Sequence, residues 1–120
     1  MVDTHTHLNF QAFAGDWQKI VDLSLKAGVT KMIIVGTDLE SSQKAIELAQ
    51  SHPALYASVG IHPHHAKQYI DSEPQITKDL AKLNALATHN RVVAIGEVGL
   101  DYHYYQKSKH ENKPENDMTN

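Results

Sequence analysis

The sequence contains no cysteine, which removes disulfide frameworks, thiolate catalysis and cysteine-ligated zinc from consideration. Any bound metal must be held by histidine and carboxylates. There is no cluster of Lys and Arg either, and 11 basic residues against 14 acidic ones leave a net charge of -3. A domain that grips nucleic acid mainly through its phosphates is usually basic, so the charge count argues against a simple DNA-binding module. No apolar run approaches the roughly 18 residues that cross a bilayer, and no basic stretch precedes an apolar run at the start. A cytoplasmic location is the expectation. Hydrophobic residues at 41% and charged residues at 21% are ordinary globular usage, and 120 residues amount to one domain or part of one. What the chain has in excess is histidine, nine in all, and their positions decide what that means.

Three short apolar runs are rich in β-branched residues: Met32 to Val35, Leu55 to Val59, and Val92 to Ile95. Each is too short for a helix, and near-continuous apolarity predicts strands covered on both faces. A fourth strand, Met1 to Thr4, rests on its place in the pattern. Between the runs the apolar spacing turns helical. Asp16 reads as an N-cap before Trp17, Ile20, Val21 and Leu25, with Gly28 as a left-handed stop. Thr37 and Glu40 have capping-box spacing ahead of a helix that His52-Pro53 ends. Ser72 to Gln75 starts a third helix, with Ile76, Leu80, Leu83 and Leu86 along one face and an end near Asn90. Strands alternating with crossovers of this length predict a parallel α/β sheet. The segment 106–120 holds one large apolar residue, Met118, and is expected to be a disordered tail.

His5 and His7 are two apart at the exit of the first strand, where alternating side chains share a face and both imidazoles can reach one ion. The pattern is short, and two polar loop residues are the alternative reading. Glu97 follows the fourth apolar run directly. A carboxylate emerging from a buried strand must be paired, hydrogen-bonded or bound to metal, unless it is simply exposed or caps the next helix. Topology shifts that balance, because the C-terminal strand ends of a parallel α/β fold converge on one face. His62, first after the third strand, is placed to donate to or pair with a phosphate oxygen, while His64 and His65 are read as solvent-facing. His52, His89, His103 and His110 fall at helix ends or in the tail and are read as surface residues. Asp101 is a candidate to orient a ligand from behind. Tyr102, Tyr104 and Tyr105 either stack on a base or sugar or cover a core edge. No Ser or Thr stands in a nucleophile elbow or P-loop pattern.

The blocks Asp3-Thr4-His5-Thr6-His7-Leu8, Gly60-Ile61-His62-Pro63-His64 and Gly96-Glu97-Val98-Gly99-Leu100-Asp101-Tyr102 together resemble the TatD family of metal-dependent hydrolases. Three blocks in order, with about 50 and 30 residues between them, are far more specific than any one alone. The resemblance covers about residues 1 to 105. It implies an α/β fold, a (β/α)8 TIM-type barrel, with a site for divalent metal ions, two per complete site (Mg2+, Mn2+ or Zn2+), and deoxyribonuclease activity on DNA phosphodiester bonds. By the matching motifs His5 and His7 are ligands of one metal, Glu97 bridges two, and His62 lies near the substrate phosphate, so that Glu97 and His62 are the catalytic candidates.

Such a barrel needs about 250 residues, so the chain looks like its N-terminal half, about four parallel strands and three helices. The family also uses two histidines and an aspartate from later strands, and nothing after Glu97 matches them. Past Tyr105 the sequence turns polar where the family continues into an amphipathic helix, which reads as truncation or a change of frame. Two alternatives stand beside the hydrolase reading. One is a non-catalytic fragment that binds at most one divalent metal and self-associates through open strand edges near residues 1 to 5 and 92 to 97. The other is a phosphoesterase or amidohydrolase of another family that also begins with His-x-His.

Overall fold

The computed structural model describes residues 1–102; the expected tail at 106–120, and with it His103, Tyr104, Tyr105 and His110, lies outside them. Strands β1 (Val2–Thr6), β2 (Lys31–Val35), β3 (Leu55–Val59) and β4 (Val92–Ile95) form one sheet in the order β1-β2-β3-β4. All three pairings are parallel. Helices α1 (Trp17–Lys26), α2 (Leu39–Ser51) and α3 (Glu73–Ala87) supply the crossovers. Two short 3-10 segments that the apolar spacing does not announce, Gln11–Phe13 and Pro63–Tyr69, follow β1 and β3. Every strand therefore runs the same way, and all four C-terminal ends open on one side.

The core lies between α2 and the two central strands. Ile34, Leu55, Ala57 and Val59 are fully buried, and Ala45, Ile46, Leu48 and Ala49 of α2 close over them, with Val21 of α1 beside them. Each large aliphatic side chain buried this way is worth about 1.5–3 kcal/mol. The expectation that the three apolar runs are covered on both faces holds for β2 and β3 but not for β4, where Val93 and Ile95 are exposed; Val2 on β1 is exposed as well. Those two are the outer strands and have a single neighbour each among the described residues.

The helix signals hold with two corrections. In α2 the capping box is Asp38 with Ser41, one residue later than Thr37 with Glu40: Asp38 Oδ1 accepts from the Ser41 amide at 2.7 Å and Ser41 Oγ accepts from the Asp38 amide at 3.0 Å. In α3, which stops at Ala87 rather than near Asn90, Leu83 and Leu86 pack on the core but Leu80 is exposed. Asp79 is the buried residue of this helix, 8% exposed. Its carboxylate is satisfied by the Tyr69 hydroxyl at 2.7 Å and Gln75 Nε2 at 2.8 Å, which is what makes a charge at that position tolerable. Gly28, at φ 99°, provides the left-handed turn after α1.

Candidate metal centre

Glu97 is held by the sheet itself. The Gly96 amide donates to Val59 O at 2.9 Å and the Glu97 amide to Gly36 O at 3.0 Å, so the chain leaving β4 is tied to the ends of β3 and β2. The approach is close at Gly60, where a Cβ would collide with the backbone of Gly96 and Glu97. Gly60 is in turn bracketed by fully buried Ser42 of α2, whose Oγ accepts from the Gly60 amide at 3.1 Å and donates to Gly60 O at 3.3 Å. At the other outer strand, Asp3 Oδ1 accepts from the His5 amide at 3.1 Å and orients the exit of β1.

These constraints bring three expected ligands together. His5 Nε2 and His7 Nε2 stand 3.1 Å apart, and Glu97 Oε1 lies 3.8 Å from His5 Nε2. One ligand atom from each of His5, His7 and Glu97 falls within 4.8 Å of the others. Two nitrogens about 2.1 Å from one ion, at a tetrahedral or right angle, are themselves about 3.0–3.4 Å apart. The two imidazoles therefore already have the separation that a shared cation requires. Burial lowers the pKa of His7, with His5 and His62 adding in the same direction against the opposing pull of Glu97, which favours the neutral ring that a metal needs. His7 Nδ1 is buried with no hydrogen-bond partner among the described residues. The donor set, two imidazoles and a carboxylate, fits a divalent metal of the zinc or manganese kind.

His62 also joins the cluster, its Nε2 lying 3.8 Å from the same Glu97 oxygen. Its Nδ1 accepts from the His64 backbone amide at 3.0 Å. A backbone N–H can only donate, so the neutral ring carries its proton on Nε2, the atom aimed at Glu97. His62 is thus a fixed donor at the mouth.

The solvent-facing reading holds for His64, which is exposed, but not for His65. His64 Nε2 lies 3.4 Å from Asp101 Oδ2, linking the loops after β3 and β4, and His65 is half-buried in the mouth. His52 and His89 sit at helix ends as expected, yet each locks its loop: Nδ1 of His52 accepts from the Ala54 amide and Nδ1 of His89 from the Arg91 amide. Tyr102 is exposed. Phe10 and Thr37, which line the mouth with His65, are the residues that motif reasoning missed. The available signal was an aromatic residue three positions past His7, in the turn closed by the Phe10 amide and His7 O at 3.0 Å.

The sequence profile of TatD related DNase matches residues 2–117. The chain belongs to that family. A 3'-5' ssDNA/RNA exonuclease TatD of Pantoea vagans is 41% identical over 103 residues, which are 85% of this chain and 37% of the relative. The uncharacterized metal-dependent hydrolase YabD of Bacillus subtilis is 33% identical over 109 residues, 91% of this chain and 40% of the relative. Among solved structures, the TatD homolog YjjV of Escherichia coli superposes with a TM-score of 0.72 at 34% identity, covering 87% of this chain and 39% of that one. The TatD fold here is therefore a partial barrel, four of its βα strands, and the chain spans about 40% of the length of the relatives it matches. Among the described residues no helix is long and apolar enough to cross a membrane.

Proposed function

We propose that this chain carries the first- and fourth-strand share of the cation site of a TatD-type deoxyribonuclease, with His5, His7 and Glu97 as ligands and DNA as the substrate. The observation that supports it is the convergence of three ligand atoms within 4.8 Å from the tips of the two outer strands. Divalent cations bound there supply Lewis acidity, acidify water and bring the positive charge that a chain of net charge -3 lacks. The chain's own residues do the rest. Neutral His7 presents a lone pair, Asp3 holds the His5 backbone in place, and Glu97 contributes the ligand charge from a peptide anchored on Gly36. His62, with its proton on Nε2, is the donor that meets a non-bridging phosphate oxygen as negative charge grows there. Glu97 and His62 are thus the two residues assigned to catalysis.

A second reading, that this length of chain binds one cation without turning over DNA, is supported by the ligand count. The described residues supply three protein ligands for a reaction that the family resemblance assigns to two metals. One experiment separates the two. Mg2+, Mn2+ and Zn2+ are titrated calorimetrically into the chain and into Glu97→Ala, and single-stranded DNA cleavage is assayed beside them. Cation-dependent cleavage abolished by the substitution supports the enzyme. Cation binding that is weakened at least tenfold by the substitution, without cleavage, supports the fragment. A chain that is folded by circular dichroism and binds no cation overturns both.

A further inference from the structure

The cluster of ligands leaves open what holds the nucleotide whose phosphate it meets. The recess around Glu97, about 330 Å3, is lined by His7, His62, His64 and Glu97 together with Phe10, Thr37 and His65. A second cleft of about 900 Å3 runs from the loop after β1 to α2, and the same Phe10, Thr37 and His65 form part of its lining. The two adjoin at those three side chains, and their sizes fall within the roughly 300–1,000 Å3 of small-ligand sites.

Phe10 stands at that junction with an unusual setting. Its ring is stacked on the His7 imidazole, centroids 4.3 Å apart and planes 23° from parallel, so its orientation is held by the residue that also faces the cation position. Yet Phe10 is 41% exposed, although a phenyl ring gains about 1.5–3 kcal/mol from full burial. A flat apolar surface kept open beside a phosphate-binding recess is suited to stacking a base.

Charge decides which end of a nucleotide enters the cleft. Asp38, Glu40 and Glu47 line it against the single ammonium of Lys44, which lies 3.6 Å from Glu47. That wall repels phosphate and accepts a neutral heterocycle. Gln11 and Gln43 add amide donors and acceptors of the kind that meet a base edge.

We propose that Phe10 is the stacking platform for the nucleobase attached to the phosphate at the His5–His7–Glu97 cluster, with the cleft toward α2 as the base subsite. The proposal rests on the reading that a phosphodiester sits at that cluster. In the presence of saturating Mn2+, the full chain is titrated against oligothymidylate and against an abasic strand of equal length by fluorescence anisotropy. The phosphates are the same in both strands, so any preference reports the base.

Thymidylate is expected to bind roughly 5- to 150-fold more tightly, the range that one stacked base supplies. Phe10→Leu, which keeps the apolar bulk and removes the flat ring, should bring the two strands to equal affinity. Phe10→Trp should keep the preference and show tryptophan emission quenched by thymidylate but not by the abasic strand, which tests the subsite even where the leucine variant fails to fold. Equal binding of both strands by the cation-loaded chain overturns the subsite and leaves the cation site standing. A preference that survives in folded Phe10→Leu overturns the role of Phe10. Failure of Mn2+ to bind, or of both strands to bind with Mn2+ present, overturns the underlying reading and this one with it.

Discussion

In β2 and β3, Ile34, Leu55, Ala57 and Val59 expose nothing to solvent, whereas on β1 and β4 Val2, Val93 and Ile95 are each more than half exposed. The central pair has hydrogen-bonded neighbours on both sides and α2 packed against it; each outer strand has one described neighbour. The side chains that can hold a cation nevertheless come from the outer strands, His5 from β1 and His7 just past it, Glu97 just past β4. The difference teaches that the centre positions and the flanks perform. Gly36, Ser42, Val59 and Gly60 are not among the three side chains of the cluster but fix the peptide that bears Glu97.

The sharpest way to break this comparison is to remove the same kind of methyl groups from both regions. Leu55→Ala should cost about 2–5 kcal/mol of unfolding free energy, since it opens a cavity in a fully buried site. Val93→Ala on exposed β4 should stay within about 0.5 kcal/mol. Chemical denaturation followed by circular dichroism measures both, and equal losses would show that the outer strand is packed as tightly as the centre. Next in size is the coupling between the regions. Gly60→Ala places a Cβ against the Gly96–Glu97 backbone, so Glu97 must shift while His5 and His7 stay. Cation affinity by calorimetry should fall about 10- to 100-fold, the usual consequence of disturbing the support behind a ligand. Unchanged affinity in a folded variant would mean that β4 moves freely of β3.

The sequence exposes the two regions unequally. β2, β3 and β4 are legible because β-branched apolar runs bounded by Gly, Pro and polar residues have few other uses. The candidate ligands are legible from motif blocks, and only the topology joins positions 5, 7 and 97, since periodicity carries no information about which strand tips meet. Exposure of β4 was not legible, because an apolar run reads the same whether or not something covers it. Nor was the exchange on α3, where Leu80 faces out and Asp79 in: the period marks a stripe, but Tyr69 and Gln75 satisfy the carboxylate from places that the stripe does not encode. Phe10 was passed over because it falls between the His-x-His block and the first helix, in a short segment where neither motif nor period reaches.

A smaller effect sharpens the comparison at the helix that roofs the centre. Asp38→Ala removes the acceptor for the Ser41 amide and leaves one end of the capping box empty. The loss should be about 1 kcal/mol. Denaturant unfolding measures it, and Asp38→Asn, which keeps an acceptor, should recover most of it. If alanine and asparagine behaved alike, the box would not be what starts α2.

The least effect is expected at the pair that joins the 3-10 segment after β3 to α3. Burial, with hydrogen bonding to Asp79 and its negative charge, pushes the Tyr69 phenol from 10.0 up to about 12. A folded-state value raised above the unfolded one stabilises the fold while the phenol is protonated. The stability that this contact adds is therefore complete below pH 10 and is lost as pH rises from about 10 to about 12. An ultraviolet absorbance titration of the chain minus that of Tyr69→Phe should isolate one late phenol with a midpoint near 12. The two proteins should also converge in stability across that window. A difference curve centred at the ordinary tyrosine value would mean that Asp79 is held by Gln75 alone, and that the peripheral segment is no better tied down than the outer strands.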